Sequence, residues 1–444
     1  MTSIRPTLLI LGGSTRAAAD SAVHAGFHPI CADRFGDVDL HRVATVLPVS
    51  DYPQGLLTAT ESLPPTPWIY VGALENEPEL IESISRRHPL LGNQPSVLER
   101  IRDPFWIEQT LRDHGLPALS CLTDNEQPSA SRKWLAKPFH SGGGIGIRFA
   151  KETNEERDRQ QRMYFQEWRE GRSISAIFIA SSTHVRLIGM SEQLIGRACG
   201  APTEFGYAGS IGPIELTPSA SLQIQQIGTL LANEAKLLGL FGCDFILADN
   251  IPLLTEVNPR YTASVEVLER ATNWPLLKWH VAACLEPSNS ANWHHANLDV
   301  ATIPTELASV DSGLCTTTLQ FNSQDIVQEP QIHRDNLVEA DDFRDDDRNH
   351  KRVIGKRIVF VASDSLAPDL EKLIATDSDN ENSIWQSSDD EPPLADIPTP
   401  GSSILAGWPI CTVFARSNNS ATCRELLELR ASAIIRWTES SSSE

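Results

Sequence analysis

The chain has 444 residues, 41% of them hydrophobic and 7% aromatic, and a formal net charge of −21. That length suits about two or three domains with real cores. The charge argues against a nucleic-acid or membrane-surface protein, because an array of phosphates would repel it.

Part of the negative charge sits in the acidic stretches 339–347 and 389–391. The cysteines (Cys31, Cys121, Cys199, Cys243, Cys284, Cys315, Cys411, Cys423) form no C-x-x-C pair and no zinc spacing. They read as reduced, packed thiols of a cytoplasmic protein. No apolar run is long enough to span a bilayer. The apolar stretch 7–11 runs straight into Gly12-Gly13, which marks a core strand rather than a signal peptide.

Residues 1–90 read as the β-α-β start of a doubly wound α/β domain. Thr7 to Leu11 is a buried strand and Gly12-Gly13-Ser14-Thr15 a tight turn. Ala17 to Ala25 is helical, and His28 to Ala32 is the next strand, ending at Asp33. Glycines and hydroxyls before a helix N-terminus can hold an anion. Asp33 follows the turn by about 20 residues, as in dinucleotide-binding folds. The turn reads G-G-S-T-R rather than G-x-G-x-x-G, so a substrate's anionic end is as good an occupant as a dinucleotide. Trp68 to Gly72 gives another strand, with Gly72-Ala73-Leu74-Glu75 at the carboxyl end, where such sheets bind ligands.

Leu98 to His114 has the pattern of an amphipathic helix, interrupted by Pro104 and stopped at Gly115-Leu116-Pro117. A domain boundary is expected in this region. In Lys133 to Phe149, a strand carries Lys137, Ser141-Gly142-Gly143-Gly144-Ile145-Gly146 is a loop, and Ile147 to Phe149 resumes as a strand. Glycine N–H groups can close over phosphate oxygens because no Cβ blocks the approach. Lys137 would add a point charge. A plain hairpin tip fits the same pattern, and no G-K-[ST] opens a helix as in a P-loop. Tyr164 to Glu167 and Ser173 to Ile179 are strands joined through Arg169-Glu170-Gly171-Arg172, which suits an adenine hinge or any hairpin. Gly206 to Pro213 reads as a second glycine-rich loop. Ser221 to Leu240 is an amphipathic helix that turns Leu222, Ile227, Leu230, Leu231, Leu237 and Leu238 inward.

Gly242 to Glu266 reads as strand, turn, strand, loop, with Asp249-Asn250 as the turn. Such a ribbon brings Asp244 close to Glu256 and Asn258, which lie two apart and share a face. Two carboxylates and one amide oxygen suit Mg²⁺ or Mn²⁺, and Arg260 is a fork for phosphate or carboxylate. A solvated hairpin with ordinary surface charges is the plain alternative. Asn273 to Leu285 is a helix. Beyond residue 300, Thr316 to Ile326 and Arg357 to Ala362 read as strands, with 339–347 and 376–393 as polar loops. Ile410 to Phe414 is the last strand, Thr422 to Ala433 the closing helix, and 439–444 a frayed tail. The expected division is 1–90, 91–295 and 296–444.

Taken in order, a lysine strand, a glycine loop, a Q-E pair, a long helix and D…E-x-N-x-R resemble the ATP-grasp superfamily over roughly residues 91–290. The resemblance implies an α/β protein: an N-terminal α/β domain, an α+β grasp and a smaller mixed C-terminal domain. It implies ATP and Mg²⁺ as cofactors. Lys137 would bind the α/β-phosphates, and Gly142, Gly143, Gly144 and Gly146 would cover them. Gln166 and Glu167 would form the adenine hinge. Asp244, Glu256 and Asn258 would be metal ligands, and Arg260 would stand by the γ-phosphate or an acyl phosphate. Where many members have Asp-Lys, this chain has Asp103-Pro104, so one cation is missing unless Arg102 supplies it. Ser173 stands where an acidic residue often holds the ribose.

The stretches EVNPRYTASVE, YAGSIGP and DIPTPGSSILAGWPICTVFA resemble a carboligase branch related to biotin carboxylase, with tyramine–glutamate ligase as a relative. This implies an ATP-dependent carboxylate–amine ligase working through an acyl phosphate, in one-carbon cofactor biosynthesis by association. No biotin-carrier motif is present. A small-molecule kinase and a non-catalytic ATP sensor are the alternatives. The expected partners are a small carboxylate and an amine, with no nucleic acid or membrane, and a homodimer is compatible with the resemblance. Acceptor recognition would fall to Gly12–Arg16, Gly72–Glu75, Tyr207–Gly212 and Tyr261–Glu266, and His140 is the one loop histidine to test.

Overall fold

A computed structural model describes residues 5–151, 162–285, 352–377, 383–386 and 392–441. Strands β1 (Thr7–Gly12), β2 (His28–Asp33), β3 (Thr45–Pro48) and β4 (Trp68–Tyr70) form a parallel sheet of order β3-β2-β1-β4. Period-two alternation sends Leu8 and Ile10 into one core, with the helix Arg16–His24. Leu9 and Leu11 enter another, with Leu80, Ile81 and Ile84 of the helix Pro78–Ser85. A sheet covered on both faces needs such continuous apolar strands.

At the carboxyl edge, Gly12 lies so close to the residue after β4 that a Cβ would meet Val71 O at 2.6 Å. Asp33 Oδ2 accepts from Thr15 N at 2.6 Å and Thr15 Oγ1 at 2.8 Å. Its Oδ1 accepts from Phe35 N at 2.7 Å and Gly36 N at 2.8 Å. Both oxygens are engaged in holding the turn, so Asp33 is not the ribose acceptor of a dinucleotide fold.

The stretch expected as one interrupted helix is two, Pro95–Ile101 and Pro104–Asp113. Asp103 caps the second by accepting from Phe105 N at 2.9 Å and Trp106 N at 3.4 Å. Pro104 occupies the first turn, where its missing N–H has no helical partner to lose. Pro104 therefore starts a helix rather than breaking one, and Arg102 sits at the corner.

Strands β5 (Cys121–Thr123), β6 (Trp134–Pro138), β7 (Arg148–Phe149) and β8 (Met163–Glu167) form a small antiparallel sheet of order β5-β8-β6-β7. The large antiparallel sheet draws on β9 (Arg172–Ala180), β10 (Val185–Ile195), β11 (Tyr207–Gly212), β12 (Gly239–Ala248) and β13 (Ile251–Asn258). It continues through β14 (Val353–Phe360), β16 (Leu394–Ala395) and β18 (Pro409–Ser417), while β15 (Ser365–Leu366) and β17 (Ser403–Ile404) form a separate pair. Its order is β13-β12-β9-β10-β11-β14-β18-β16, so strands from 353–417 extend the sheet of 172–258 without a break. Ile174, Ala176 and Phe178 face the helix Pro218–Ala235. Ile177 and Ile179 face the core that includes Val265, Leu268 and the helix Leu276–Cys284.

Several expectations need correction. Gly206–Pro213 is largely strand β11 rather than a loop. A Cβ on Gly209 would meet Lys356 O at 2.1 Å, so its glycine admits the neighbouring strand. The helix expected over 221–240 ends at Ala235, where Lys236 takes a left-handed φ of 62°. Leu222 is 56% exposed instead of inward, whereas Ile227 and Leu231 are buried. A helix not foreseen, Ala263–Thr272, follows Arg260. The last helix runs Ser420–Ser441, through residues expected as a tail. The expected strand 316–326 and the acidic stretches 339–347 and 389–391 lie outside the described residues. Among the described residues no helix is long and apolar enough to cross a membrane.

Candidate active site

A two-residue turn joins β12 to β13, with Asp249 and Asn250 both left-handed at φ 50° and 65°. The register sets Asp244 opposite Glu256 and Gly242 opposite Asn258, so the three side chains share one face. Asn258 Nδ2 donates to Asp244 Oδ2 at 3.0 Å, and Asn258 Oδ1 accepts from Arg260 Nη2 at 3.2 Å. Burial, and then the charge of Glu256, push the Asp244 carboxyl up to about 6. Asp244 stays raised although Asn258, Ser175 and Gln193 all hydrogen-bond it, and the hard oxygens of the two facing carboxylates fit Mg²⁺. Asn258 now turns its nitrogen towards Asp244, so ligation through its oxygen asks for a half-turn of the amide. Among the described residues no three His, Cys, Asp or Glu side chains cluster as a metal cage. A carboxylate pair of this kind leaves positions for water and substrate phosphates, as Mg²⁺ prefers.

Three cations surround this pair. Lys137 Nζ, on β6, donates to Gln166 Oε1 at 3.0 Å and Thr255 O at 3.1 Å. Burial works against its charge, but Tyr164 and Glu256 outweigh it, and the Lys137 pKa is raised. Arg102 Nη1 reaches Glu256 Oε1 at 3.2 Å, while its Nη2 donates to Asn76 Oδ1 at 2.9 Å and Ser141 O at 3.1 Å. Arg102 thus puts a cation at the carboxylate pair and at the glycine loop. Arg260 Nε donates to Glu75 Oε2 at 2.7 Å, and the Glu75 side chain is fully buried. The other oxygen, Glu75 Oε1, is buried with no hydrogen-bond partner. Such an orphaned acceptor costs about 1–3 kcal/mol.

Lys137, Gln166, Glu167, Asp244, Glu256, Asn258 and Arg260 line one cleft of about 270 Å³, together with Gly143, Gly144 and Ser173. Gly143 and Gly144 have φ of +62° and +77°, and a Cβ on Gly144 would meet Phe205 O at 1.8 Å. Tyr207 N donates to Gly143 O at 3.1 Å, so the loop is tied onto β11 rather than standing as a free tip. Gly142 and Gly146 are outside the cleft lining. A Cβ on Gly142 would meet Ala73 Cβ at 2.9 Å, and one on Gly146 would meet Pro138 Cγ at 2.9 Å, so these two serve packing.

The Gln166 side chain is engaged with Lys137 and Thr255 O, which makes it a positioning residue for the lysine. Glu167 N donates to Ser120 O at 2.8 Å and Trp168 N to Lys133 O at 2.9 Å, so these two main-chain donors are engaged within the fold. His140 faces a neighbouring cavity of about 310 Å³ instead of the cleft. Sequence reasoning did not single out Asn76 or Tyr164. The first directly follows Glu75, and the second pairs in register with Lys137, a partnership visible only once β6 and β8 are aligned.

Residues 101–264 match the ATP-grasp domain family. An uncharacterized protein of Methanocaldococcus jannaschii is 22% identical over 193 residues, 41% of this chain and 47% of that protein. The match therefore spans about half the length of that curated relative. The biotin carboxylase of Campylobacter jejuni superposes over 94% of this chain and 88% of its own, with a TM-score of 0.60 and 12% identity. The L-amino acid ligase of Bacillus licheniformis superposes over 98% of both chains, with a TM-score of 0.58 and 13% identity. Residues 101–264 thus form an ATP-grasp domain, and the chain as a whole shares its fold with biotin carboxylase.

Proposed function

We propose that the protein is an ATP-dependent carboxylate–amine ligase that activates its carboxylate as an acyl phosphate. The observation that carries this reading is the convergence of Lys137 and Arg260 with Asp244, Glu256 and Asn258 on one cleft, with Arg102 reaching Glu256 from beside it. The whole-chain likeness to an L-amino acid ligase supports C–N bond formation. The divisions 1–90, 91–295 and 296–444 remain our assignment of functional parts.

A carboxylate resists nucleophiles because its charge repels them, and phosphorylation turns one oxygen into a leaving group. Asp244, Glu256 and Asn258 would hold Mg²⁺, which when bound neutralises charge on the transferring phosphoryl group. Lys137 spends its three N–H donors on Gln166, Thr255 and Tyr164, so a phosphate oxygen would take the place of one of these neutral acceptors. Arg260, fixed by Glu75, presents the rest of its fork to the γ-phosphate or the acyl phosphate. Arg102 supplies the cation that Asp103-Pro104 lacks. The glycine loop, lying on Phe205 and Tyr207, keeps water from the reactive intermediate. None of these roles needs a histidine or cysteine.

The test is ADP release from Mg²⁺-ATP against a matrix of carboxylates and amines. Glutamate, tyramine and one-carbon cofactor precursors come first, as the resemblance suggests. Release should require both substrate classes, and Glu256→Gln should cut it at least about 100-fold with the fold retained. Full activity in that variant would sink the assignment. Release with an alcohol acceptor alone would indicate a kinase, and ATP binding without release a sensor.

A further inference from the structure

The ligase reading leaves open where the amine stands and what takes its proton. Glu75 sits just past the carboxyl end of the parallel strand β4, far in sequence from the metal pair. Its Oε2 holds Arg260, and Arg260 in turn holds Asn258, so Glu75 is one residue removed from the phosphoryl end of the cleft. Its Oε1 is buried and lacks any donor. A buried carboxylate oxygen accepts only, so what completes it must bring an N–H or O–H, and a cation satisfies it best.

Glu75 also lines the cavity of about 310 Å³ beside the glycine loop, with Arg102, Phe105, Phe139, His140 and Leu98 among its walls. Arg162 also lines it and lies 4.3 Å over the Phe139 ring, so Phe105 and Leu98 offer the apolar wall to an organic body while Glu75 Oε1 offers the acceptor. Resting on the ligase reading, we propose that this cavity is the amine subsite and that Glu75 Oε1 receives the substrate's ammonium group.

The proton balance follows. The ammonium gives one proton to Glu75, which leaves a neutral amine. Its lone pair forms the C–N bond as the acyl C–O bond breaks and phosphate leaves with that electron pair. The second nitrogen proton goes to the departing phosphate, and Glu75 returns the first to solvent. Amide and hydrogen phosphate are the products.

A binding experiment needs no turnover. With the cleft saturated by Mg²⁺-ADP, 2-phenylethylamine and 2-phenylethanol are titrated by calorimetry; they share an aromatic body and differ in charge. The amine should bind the wild-type protein at least about tenfold more tightly than the alcohol. Glu75→Gln, which keeps an acceptor for Arg260, should erase that preference. Equal binding of the two by the wild-type protein overturns the proposal, and this arm depends on no variant folding.

A kinetic arm separates recognition from the positioning of Arg260. Hydroxylamine, uncharged at neutral pH, traps acyl phosphates as hydroxamates. In Glu75→Gln the loss with the amine substrate should exceed the loss with hydroxylamine by about 100-fold. Equal losses would mean that Glu75 only positions Arg260. If no carboxylate yields a hydroxamate in the wild-type protein, the ligase reading fails, and the binding arm still decides ammonium recognition.

Discussion

Two buried ionic clusters meet at the helix Ala263–Thr272, and they are built to different ends. On one side, Ser264 lines the cleft with Asp244, Glu256 and Arg260. On the other, Glu266 accepts from Arg16 Nη1 at 2.5 Å and Nη2 at 3.1 Å, from Lys356 Nζ at 2.6 Å and from Arg270 Nη2 at 3.3 Å. Arg16 Nε also meets Asp396 Oδ1 at 2.9 Å. Burial alone would raise the Glu266 carboxyl, but Arg16, Lys356 and Arg270 hold it well below the usual carboxylate range. Asp244 is pushed the opposite way, to about 6. The second cluster is complete in itself and joins the N-terminal helix to strand β14. The first has a raised carboxyl and a Glu75 oxygen with no donor, the features on which its proposed role as a ligand site rests. Burial raises Asp20 and Asp39 beside Arg16 as it raises Asp244, so what distinguishes the second cluster is its centre, where three cations converge on Glu266 and hold it and Asp396 down.

Mutating one carboxylate in each cluster should give the widest contrast. Glu266→Gln leaves Arg16 and Lys356 facing a neutral group and should cost about 3–5 kcal/mol, read as a lower urea midpoint. Asp244→Asn removes one of two repelling charges, so the metal-free protein should keep or gain stability while turnover is lost. If both variants unfold equally early, the two clusters are doing the same job and the distinction fails.

The pH response should separate them next. The folded pKa of Asp244 lies above its unfolded value, so its contribution is fully present at acid pH and disappears as pH rises through about 6. Its size is up to about 3 kcal/mol, an upper value because the side chain is only partly buried. The folded pKa of Glu266 lies well below 4.5. Its contribution is present above the unfolded pKa and is lost as pH falls towards the folded one. Mg²⁺ favours ionised Asp244, so the stabilisation it gives should grow between about pH 5 and 7. Melting curves with and without Mg²⁺ across that range check this. An Mg²⁺ effect that is flat with pH, or that persists in Asp244→Asn, would count against the metal assignment.

Local pattern made part of this legible. The Asp249-Asn250 turn fixed the hairpin register, and register alone put Asp244 opposite Glu256. The alternation in β9 and the apolar run of β1 were readable for the same reason. What stayed hidden depended on partners distant in sequence. Glycines in Gly206–Pro213 looked like loop chemistry because the close approach of β14, which requires them, comes from residues 353–360. Leu222 fitted a helical stripe, yet its place near the start of the helix leaves it at the surface. Arg102 could not be assigned until Asp103 was seen capping its own helix, which turns the corner that brings the guanidinium to Glu256. The pairing of Glu75 with Arg260 spans 185 residues and has no local signature.

The smallest expected effect is also the sharpest question about the two clusters, namely whether they are energetically separate. Tyr207 stands between them: burial raises its phenol, and Asp244 and Glu266 both add to that rise. Tyr207 Oη and Ser210 Oγ are 2.8 Å apart, and Ser210 and Ser264 hydroxyls 3.1 Å apart, so a neutral relay separates the charged groups. Such a relay carries dipoles but no compensating charge. A double-mutant cycle of Asp244→Asn and Glu266→Gln, followed by urea unfolding without Mg²⁺, should therefore give a coupling below about 0.5 kcal/mol. A coupling well above that would merge the clusters into one network. Strand β14, which carries Lys356, would then bear directly on the charge balance of the cleft, and removing Lys356 should shift Mg²⁺ affinity as well as stability.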